Sequence, residues 1–495
     1  MRCCFFDASW GGKDFLYDKK MLSMKKNGLF TGVMIVSAGK FILMAVNFLT
    51  TIVLARLLMP RDFGIVAMCS IFLNISDVLI DSGMAGSLVY QKDIREIDKN
   101  TLFWFNIFVS IVLYAILFFS APLIASFYNT PILESIIKVI ALSIVIHSCC
   151  FVQNALLMRD LKYKEQMLIV VISTIVSVIV AIIMAYMGFG VWALIFQMLS
   201  SNVMQVVLSF AIVRFIPQRE FSLEVLKKHW NFGSKLLGSS LLNIVYTNMY
   251  VQIIGKTVDV HVAGFYQQAR KLNDFPRNLI QYPMDRVFFP YLAKSSNIKS
   301  DCASVFKKSV LFIVPVLVCL SLEAENFVKI VLGEKWIESS WMLSMMFLGT
   351  IGVSLEGANR SFIKATGHTG AILKNDVLKR VINIVILLFS LFWMVKGILV
   401  AFIINGFLGW IMNCFVFCKI VGEKVRFQVG LVCLILLISM FSCVVVKCIP
   451  EYSYDILTFL IQTTVFFGVY LLLLVPFFRK EMFSLIRNIL LKGKK

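Results

Sequence analysis

The 495-residue sequence predicts an all-α polytopic membrane protein with about fourteen transmembrane helices, arranged as two six-helix lobes around a central cavity plus two C-terminal helices. Three observations predict it. About fourteen apolar stretches follow one another with short connections, most of them long enough as helices to cross the ~30 Å hydrocarbon core of a bilayer. The hydrophobic content of 59% and the mean hydropathy of +0.85 lie far from the composition of a water-soluble protein. Lys and Arg concentrate in alternate connections, the pattern of cytoplasmic loops.

The spans are expected near 29–55, 64–90, 101–127, 133–158, 167–187, 190–213, 230–255, 264–293, 309–322, 339–363, 375–395, 397–418, 427–446 and 456–478. With a cytoplasmic N-terminus, the inside connections hold the basic groups Lys92, Arg95 and Lys99, then Arg159, Lys162 and Lys164, then Arg214, Arg219, Lys227 and Lys228. Lys294, Lys299, Lys307 and Lys308 follow, then Lys419, Lys424 and Arg426, and the tail carries Arg479, Lys480, Arg487, Lys492, Lys494 and Lys495. The outside connections hold only Arg56, Arg61, Lys256, Lys329, Lys335, Lys396 and Lys447. Both termini are therefore expected in the cytoplasm, and the net charge of +20 reports topology rather than a nucleic-acid partner. Residues 1–28 are read as a cytoplasmic leader: Met1 to Asp18 lacks the apolar core of a signal peptide, and Met21 and Met24 are alternative starts.

A repeat at an offset of 200 residues organises the chain. Arg56 and Gly64 in LARLLMPRDFGIVAM match Lys256 and Gly264 in IGKTVDVHVAGFYQQA. In each, a helix ends on a basic residue, a short turn follows and Gly opens the next helix. Six spans per repeat give an N-lobe at 29–228, a C-lobe at 229–420, and spans 13 and 14 with the basic tail at 421–495. Those last spans hold no Lys, Arg or Glu from Val429 to Val446 or from Ile456 to Val475. They are expected to face lipid, either as plain support or as a surface for a lipid tail.

Neither metal nor cofactor is expected. Most of the twelve cysteines lie in apolar runs, Cys414 and Cys418 lack a second ligand pair, and the four histidines have no ligand spacing and are read as packed or interfacial.

Ionisable groups in a span are costly and face a bundle interior or a wet cavity. At 100° per residue Ser37, Lys40, Asn47 and Thr51 share one face of span 1, and Ser70, Asn74, Asp77 and Asp81 share one of span 2. Lys235, Ser239, Tyr246 and Tyr250 do so in span 7, and Arg270, Asp274, Arg277, Gln281 and Asp285 in span 8. The stripes recur on repeat-equivalent spans, which simple pairing such as Arg270 with Asp274 does not explain and one cavity lined by both lobes does. Spans 10 and 11 add Glu356 with Arg360, an ion pair or a substrate contact, and the basic trio Lys374, Lys379 and Arg380. The cation excess points to an anionic substrate, with the planar forks of Arg270 and Arg277 suited to phosphate oxygens. Asp77 and Asp81 suit a coupling proton or cation, or pairing with Lys40. Pro276, Pro283 and Pro290 predict a kinked span 8.

LARLLMPRDFGIVAM, DSGMAGSLVYQKD, HWNFGSKLLGSSLLNIVYTNMYVQIIGK and AGFYQQARKLNDFPRNLIQYPMDRVFFPYLAK resemble the bacterial polysaccharide transporter family. That family holds the O-antigen and colanic-acid-type flippases of the multidrug/oligosaccharidyl-lipid/polysaccharide exporter superfamily. The resemblance covers roughly residues 28 to 420. It implies a non-enzymatic exporter in the bacterial inner membrane that carries an undecaprenyl-diphosphate-linked oligosaccharide outward by alternating access, for lipopolysaccharide or capsule synthesis. Coupling to a proton or sodium ion and a polysaccharide polymerase as partner are implied with it.

In the similar lipid II flippase a cationic cavity receives the diphosphate and the last two spans form a lipid groove. Carried over, substrate contacts fall on Lys40, Arg270, Arg277 and Arg360, cavity acids on Asp77, Asp81 and Asp274, and the groove on spans 13 and 14. Relatives often carry Asp where Tyr250 stands, a departure that bears on ion coupling through span 7. The alternatives are a cation-coupled multidrug exporter, disfavoured by the cation excess, a membrane polymerase or ligase, disfavoured by short outside loops, and a passive scramblase.

Overall fold

The computed structural model describes residues 14–492 apart from 82–83, 92, 285–287 and 451–454, with side chains placed from Val36 to Phe477 except at scattered positions in α10 and around Pro283. The first thirteen residues of the expected leader and Asp285 of the span 8 stripe lie outside the described residues. So do the side chains of Lys235, Ser239 and Tyr246.

The described chain is helical, without strands. Its helices are α1 (Asp14–Leu57), α2 (Pro60–Asp81), α3 (Met84–Tyr90), α4 (Glu96–Phe127), α5 (Ile132–Ile140), α6 (Leu142–Ser148), α7 (Phe151–Arg159), α8 (Tyr163–Tyr186), α9 (Val191–Val213) and α10 (Leu223–Thr257). They continue with α11 (Val260–Pro283), α12 (Phe289–Ala293), α13 (Ile298–Leu322), α14 (Ala324–Val331), α15 (Ser340–Ala365), α16 (Thr369–Ser390), α17 (Met394–Val421), α18 (Val425–Lys447) and α19 (Asp455–Lys492). Among the described residues ten helical segments are long and apolar enough to cross a membrane. They are eleven if Ile132–Ser148 and Phe151–Arg159, bent by 42°, form one broken span. The expected spans 7 and 8 are helices, α10 and α11, but stand outside that set. In α11 the crowding of Arg270, Lys271, Asp274 and Arg277 removes the apolarity the others share.

Exposed side chains on these helices are largely apolar, the surface of a protein solvated by lipid. Phe119 is 78% exposed and Leu123 72% on α4, and Leu437, Met440, Phe441 and Val444 make an outward stripe at helical spacing on α18. The tightest expected turn, between α8 and α9, is built by Gly188 and Gly190, whose φ of +80° and +54° suit glycine.

The chain divides into two compact units, one running through Thr51 and resuming at Cys69–Thr247, the other made of Ile52–Met68 and Asn248–Lys495. The core of the first joins α3, α4 and α7 through Met84, Leu88, Leu102, Phe103, Val152 and Ala155. In the second, Phe362 of α15 lies 6.4 Å from Phe306 of α13 and 5.3 Å from Phe417 of α17, ring centre to ring centre. Helices α15 and α17 meet through glycine: a Cβ at Gly352 would strike the Gly406 backbone, and one at Gly349 the Phe402 ring. Trp336 is fully buried, donates from Nε1 to the Ala55 carbonyl at 2.8 Å, and meets Phe63 and Phe265 edge-on.

The 200-residue repeat has a spatial counterpart inside the second unit. A Cβ at Gly64 would run into the Val260 carbonyl, and one at Gly264 into the Pro60 carbonyl, the residue 200 positions earlier than Val260. Arg56, the basic residue that ends α1, donates from Nη2 to the Ile330 carbonyl at 2.5 Å, and Lys335 donates to the carbonyls of Arg56 and Leu58 at 2.9 and 2.5 Å. These basic side chains close helix ends, where orphan carbonyls want donors.

Candidate functional site

The sequence-expected residues fall into three clusters. The first lies wholly in the first unit, where α1, α2, α6, α8 and α9 enclose a cavity of about 390 Å³. Asn47 comes from α1, and Ser70, Asn74 and Asp77 come from α2. These members of the expected polar stripes do line one space. The remaining walls are Ser143 and His147 of α6, Thr174 and Ser177 of α8, and Gln197, Ser201 and Asn202 of α9, with Leu73 and Met198 as the apolar contribution.

Asp77 pairs here with His147, Oδ1 to Nδ1 at 3.7 Å, rather than with Lys40. Lys40 is exposed on α1, and among the described residues it makes no ion pair. Asp81 closes α2 and is exposed.

His147 stands just before the break between α6 and α7, where the Cys149 and Cys150 amides bond back to Ile146 and His147 carbonyls at 3.2 and 3.1 Å. Broken helices at membrane depth occur where the backbone is buried in protein or lines a cavity. Sequence reasoning passed over His147 as a packed or interfacial residue. The available signal was the spacing of Thr174 with Ser177 and of Gln197 with Ser201, polar pairs at i,i+3 and i,i+4 in otherwise apolar helices.

The second cluster is the α11 stripe. Arg277 Nη1 lies 3.7 Å from Asp274 Oδ1, and both side chains are more than a third exposed. Arg270 sits one turn before Asp274 and is half-buried. Between Arg270 and Arg277 along the same side of the helix, Asn273 is buried and accepts from Thr350 of α15 at 2.8 Å. That bond and the close approach of Gln281, a member of the same stripe, to Gly357 seat α11 on α15 along the edge of the arginine stripe.

The third cluster joins α15, α16 and α17. Arg360 holds Asp376 bidentately, at 2.6 and 3.0 Å. Glu356, nearly buried, takes the ammonium of Lys379 in a short contact, with Arg360 Nη1 at 3.7 Å and Asn413 Nδ2 at 3.5 Å. Gly409 makes room for this pair, since a Cβ there would collide with both Glu356 and Lys379. Arg360 therefore has a stronger partner than the i,i+4 Glu356 that its sequence spacing pointed to. Lys374 and Arg380 remain exposed.

Among the described residues no group of three His, Cys, Asp or Glu side chains is placed to hold a metal ion.

A family profile described as polysaccharide biosynthesis protein matches residues 53–341. The chain is 25% identical over 384 residues to the lipopolysaccharide biosynthesis protein WzxC of Escherichia coli (strain K12), spanning 76% of this chain and 78% of that one. It is 22% identical over 306 residues to the succinoglycan biosynthesis transport protein ExoT of Rhizobium meliloti (strain 1021), spanning 61% of this chain and 62% of that one. Among solved structures it is similar to the lipid II flippase MurJ in its inward closed conformation, with a TM-score of 0.71 and 15% identity over 91% of this chain and 100% of that one. At that identity the likeness is one of fold.

Proposed function

Because the chain belongs to the polysaccharide biosynthesis protein family, we propose that it is a flippase moving an undecaprenyl-diphosphate-linked oligosaccharide from the cytoplasmic to the outer leaflet of a bacterial inner membrane. The chain is a multi-pass membrane transporter and not an enzyme. The relatives named for lipopolysaccharide biosynthesis and for succinoglycan transport support the substrate class.

The observation that carries the reading is α11, a 24-residue helix in a chain of membrane helices that keeps Arg270, Asp274 and Arg277 along one stripe. Charge at that depth is retained where it meets charge. Arg277 reaches Asp274 only at 3.7 Å and stays 37% exposed, so its fork remains available to phosphate oxygens. Arg270 and Arg277 are the diphosphate contacts of the second unit, and Lys40 is the cation that the first unit offers to the substrate. Arg360 is engaged by Asp376 and acts with Glu356 and Lys379 as a clamp between helices, joining the substrate contacts only if that clamp opens.

The mechanism is alternating access. An N-lobe at 29–228 and a C-lobe at 229–420 rock around the head group while the prenyl tail stays in lipid, along spans 13 and 14 in 421–495. Both termini are cytoplasmic. An inside-negative potential favours outward movement of anions by roughly 2.3 kcal/mol per charge per 100 mV, or about 4 to 5 kcal/mol for a diphosphate. Inward movement of a proton or sodium ion on Asp81 or Asp274 adds to it. A polysaccharide polymerase receives the product.

The test is to delete the gene and measure which leaflet holds the lipid-linked oligosaccharide, with a sugar-modifying probe confined to the outer side. Accumulation on the cytoplasmic side, reversed by the intact chain and not by an equally abundant Arg270→Ala/Arg277→Ala variant, is the expected result. Normal export by that variant would remove the arginines from the diphosphate site. An unchanged leaflet distribution in the deletion strain, with no second flippase present, would overturn the flippase reading.

A further inference from the structure

The cavity of the first unit has no place in the diphosphate chemistry. We propose that it is a sugar subsite, binding the hydroxyls of an uncharged saccharide unit of the head group; this rests on the flippase reading above and assigns it a second recognition element.

Composition is the first argument. No Lys or Arg lines the cavity, so it offers a phosphate no positive partner beyond the imidazole of His147. Among the described residues Leu73 and Met198 are the only apolar ones in the lining and half of the lined surface is polar, which suits a hydrophobic drug poorly. What remains is a carboxylate, an imidazole, carboxamides and hydroxyls, a set that both donates and accepts hydrogen bonds. A sugar ring presents the complementary set, hydroxyls that each donate one bond and accept others.

Bonding already made within the site sharpens this. The Thr174 hydroxyl donates to the Val170 carbonyl of its own helix, at 2.8 Å. Its proton is thereby committed and its lone pairs are presented as acceptors. Ser201 accepts from Gln205 at 3.2 Å, and Asn202 reaches the Ser143 carbonyl at 3.4 Å, so α9 is oriented by its own second row of contacts. Asp77, held beside His147, supplies the strongest acceptor, and Gln197 and Asn202 supply carboxamides with both functions. A volume of about 390 Å³ lies within the ~300–1,000 Å³ of small-molecule pockets.

A bound cation is the competing occupant. Hard cations take six or more oxygen ligands, usually with several carboxylates. This cavity has one carboxylate, and its neighbour is a ring nitrogen.

The experiment measures binding to the purified full chain in lipid nanodiscs of two probes. One is bare undecaprenyl diphosphate; the other is the lipid-linked oligosaccharide pool extracted from the producing bacterium after deletion of this gene. The wild-type chain is expected to prefer the glycosylated pool. Gln197→Ala/Asn202→Ala should weaken that binding by about tenfold or more and leave the affinity for the bare diphosphate as it was, which also shows that the variant folds. Equal weakening for both probes, or none for either, overturns the sugar subsite. So does a variant that keeps its preference for the pool but changes its ion-gradient dependence in a flipping assay, which would make the cavity a coupling site. If the wild-type chain binds neither probe, the flippase reading itself fails.

Discussion

Gly64 and Gly264 lie against each other where α2 and α11 begin: a Cβ placed on either would come within 3.1 Å of the other's backbone nitrogen. The contact is reciprocal, because each absent side chain is the space occupied by the partner's first turn. The two residues occupy equivalent positions of a 200-residue repeat, so the repeat is a spatial relation as well as a string match.

Gly64→Ala and Gly264→Ala should each destabilise by about 1–3 kcal/mol, the range for overpacking a tight contact, because the atoms struck are main-chain carbonyls that cannot rotate away. The double variant should cost less than the sum, since one displacement of α2 from α11 accommodates both methyls. Thermal unfolding in detergent of the four proteins gives the cycle; strict additivity would mean the two glycines do not share one contact.

Trp336 tests the buried anchor of the segment between α14 and α15. Trp336→Ala removes a fully buried indole and should cost about 3–5 kcal/mol. Trp336→Phe retains most of the packing against Phe63 and Phe265 and loses the bond to the Ala55 carbonyl, for about 1 kcal/mol. Equal unfolding temperatures for the two variants would contradict this division.

Lys379→Met leaves the Glu356 carboxylate nearly buried without its main counter-ion, which should cost about 3–5 kcal/mol. Adding Glu356→Gln to it should recover much of the loss, because the uncompensated charge is then gone. The readout is again unfolding temperature, and a double variant worse than Lys379→Met alone would show the pair is not the source of the cost.

Glu423, in the connection between α17 and α18, gives a pH dependence. Burial raises its pKa above the ordinary 4.5, against the ammonium of Lys299, which lowers it. The folded chain therefore holds this proton more firmly than the unfolded chain does. Stability from the group is fully present below about pH 4.5 and is lost as pH rises through the folded value. Glu423→Gln, locked in the neutral form, should raise the unfolding temperature at pH 7.5 by an amount worth under about 1 kcal/mol and change little at pH 4.5. The opposite ordering would mean that Lys299 outweighs burial.

Much of this architecture is legible in the sequence because hydrophobic length is a one-dimensional property. The apolar segments fall on helical chain among the described residues, with 133–158 broken into α5, α6 and α7 and ten or eleven segments rather than fourteen long and apolar enough to cross a membrane; Arg56, Gly64, Lys256 and Gly264 mark the repeat without any knowledge of contacts. What escapes is pairing across helices. The sequence offers Glu356 to Arg360 by spacing alone, yet its bidentate partner is Asp376, on the next helix. His147 is harder to read than its polar neighbours for a further reason. Its meaning depends on the helix break at Cys149 and Cys150, and no proline or glycine announces that break.

The glycine seam between α15 and α17 carries a mechanical consequence. With Gly352 and Gly406 bringing main chain onto main chain and the Phe402 ring seated against Gly349, few rotatable side chains lie at that contact to absorb shear. The two helices are coupled like the plates of a laminated spring, far stiffer glued than loose. Torque applied at the Arg360 end of α15 is then delivered to Thr350, and through its bond to Asn273 into α11, with little lost to side-chain rearrangement.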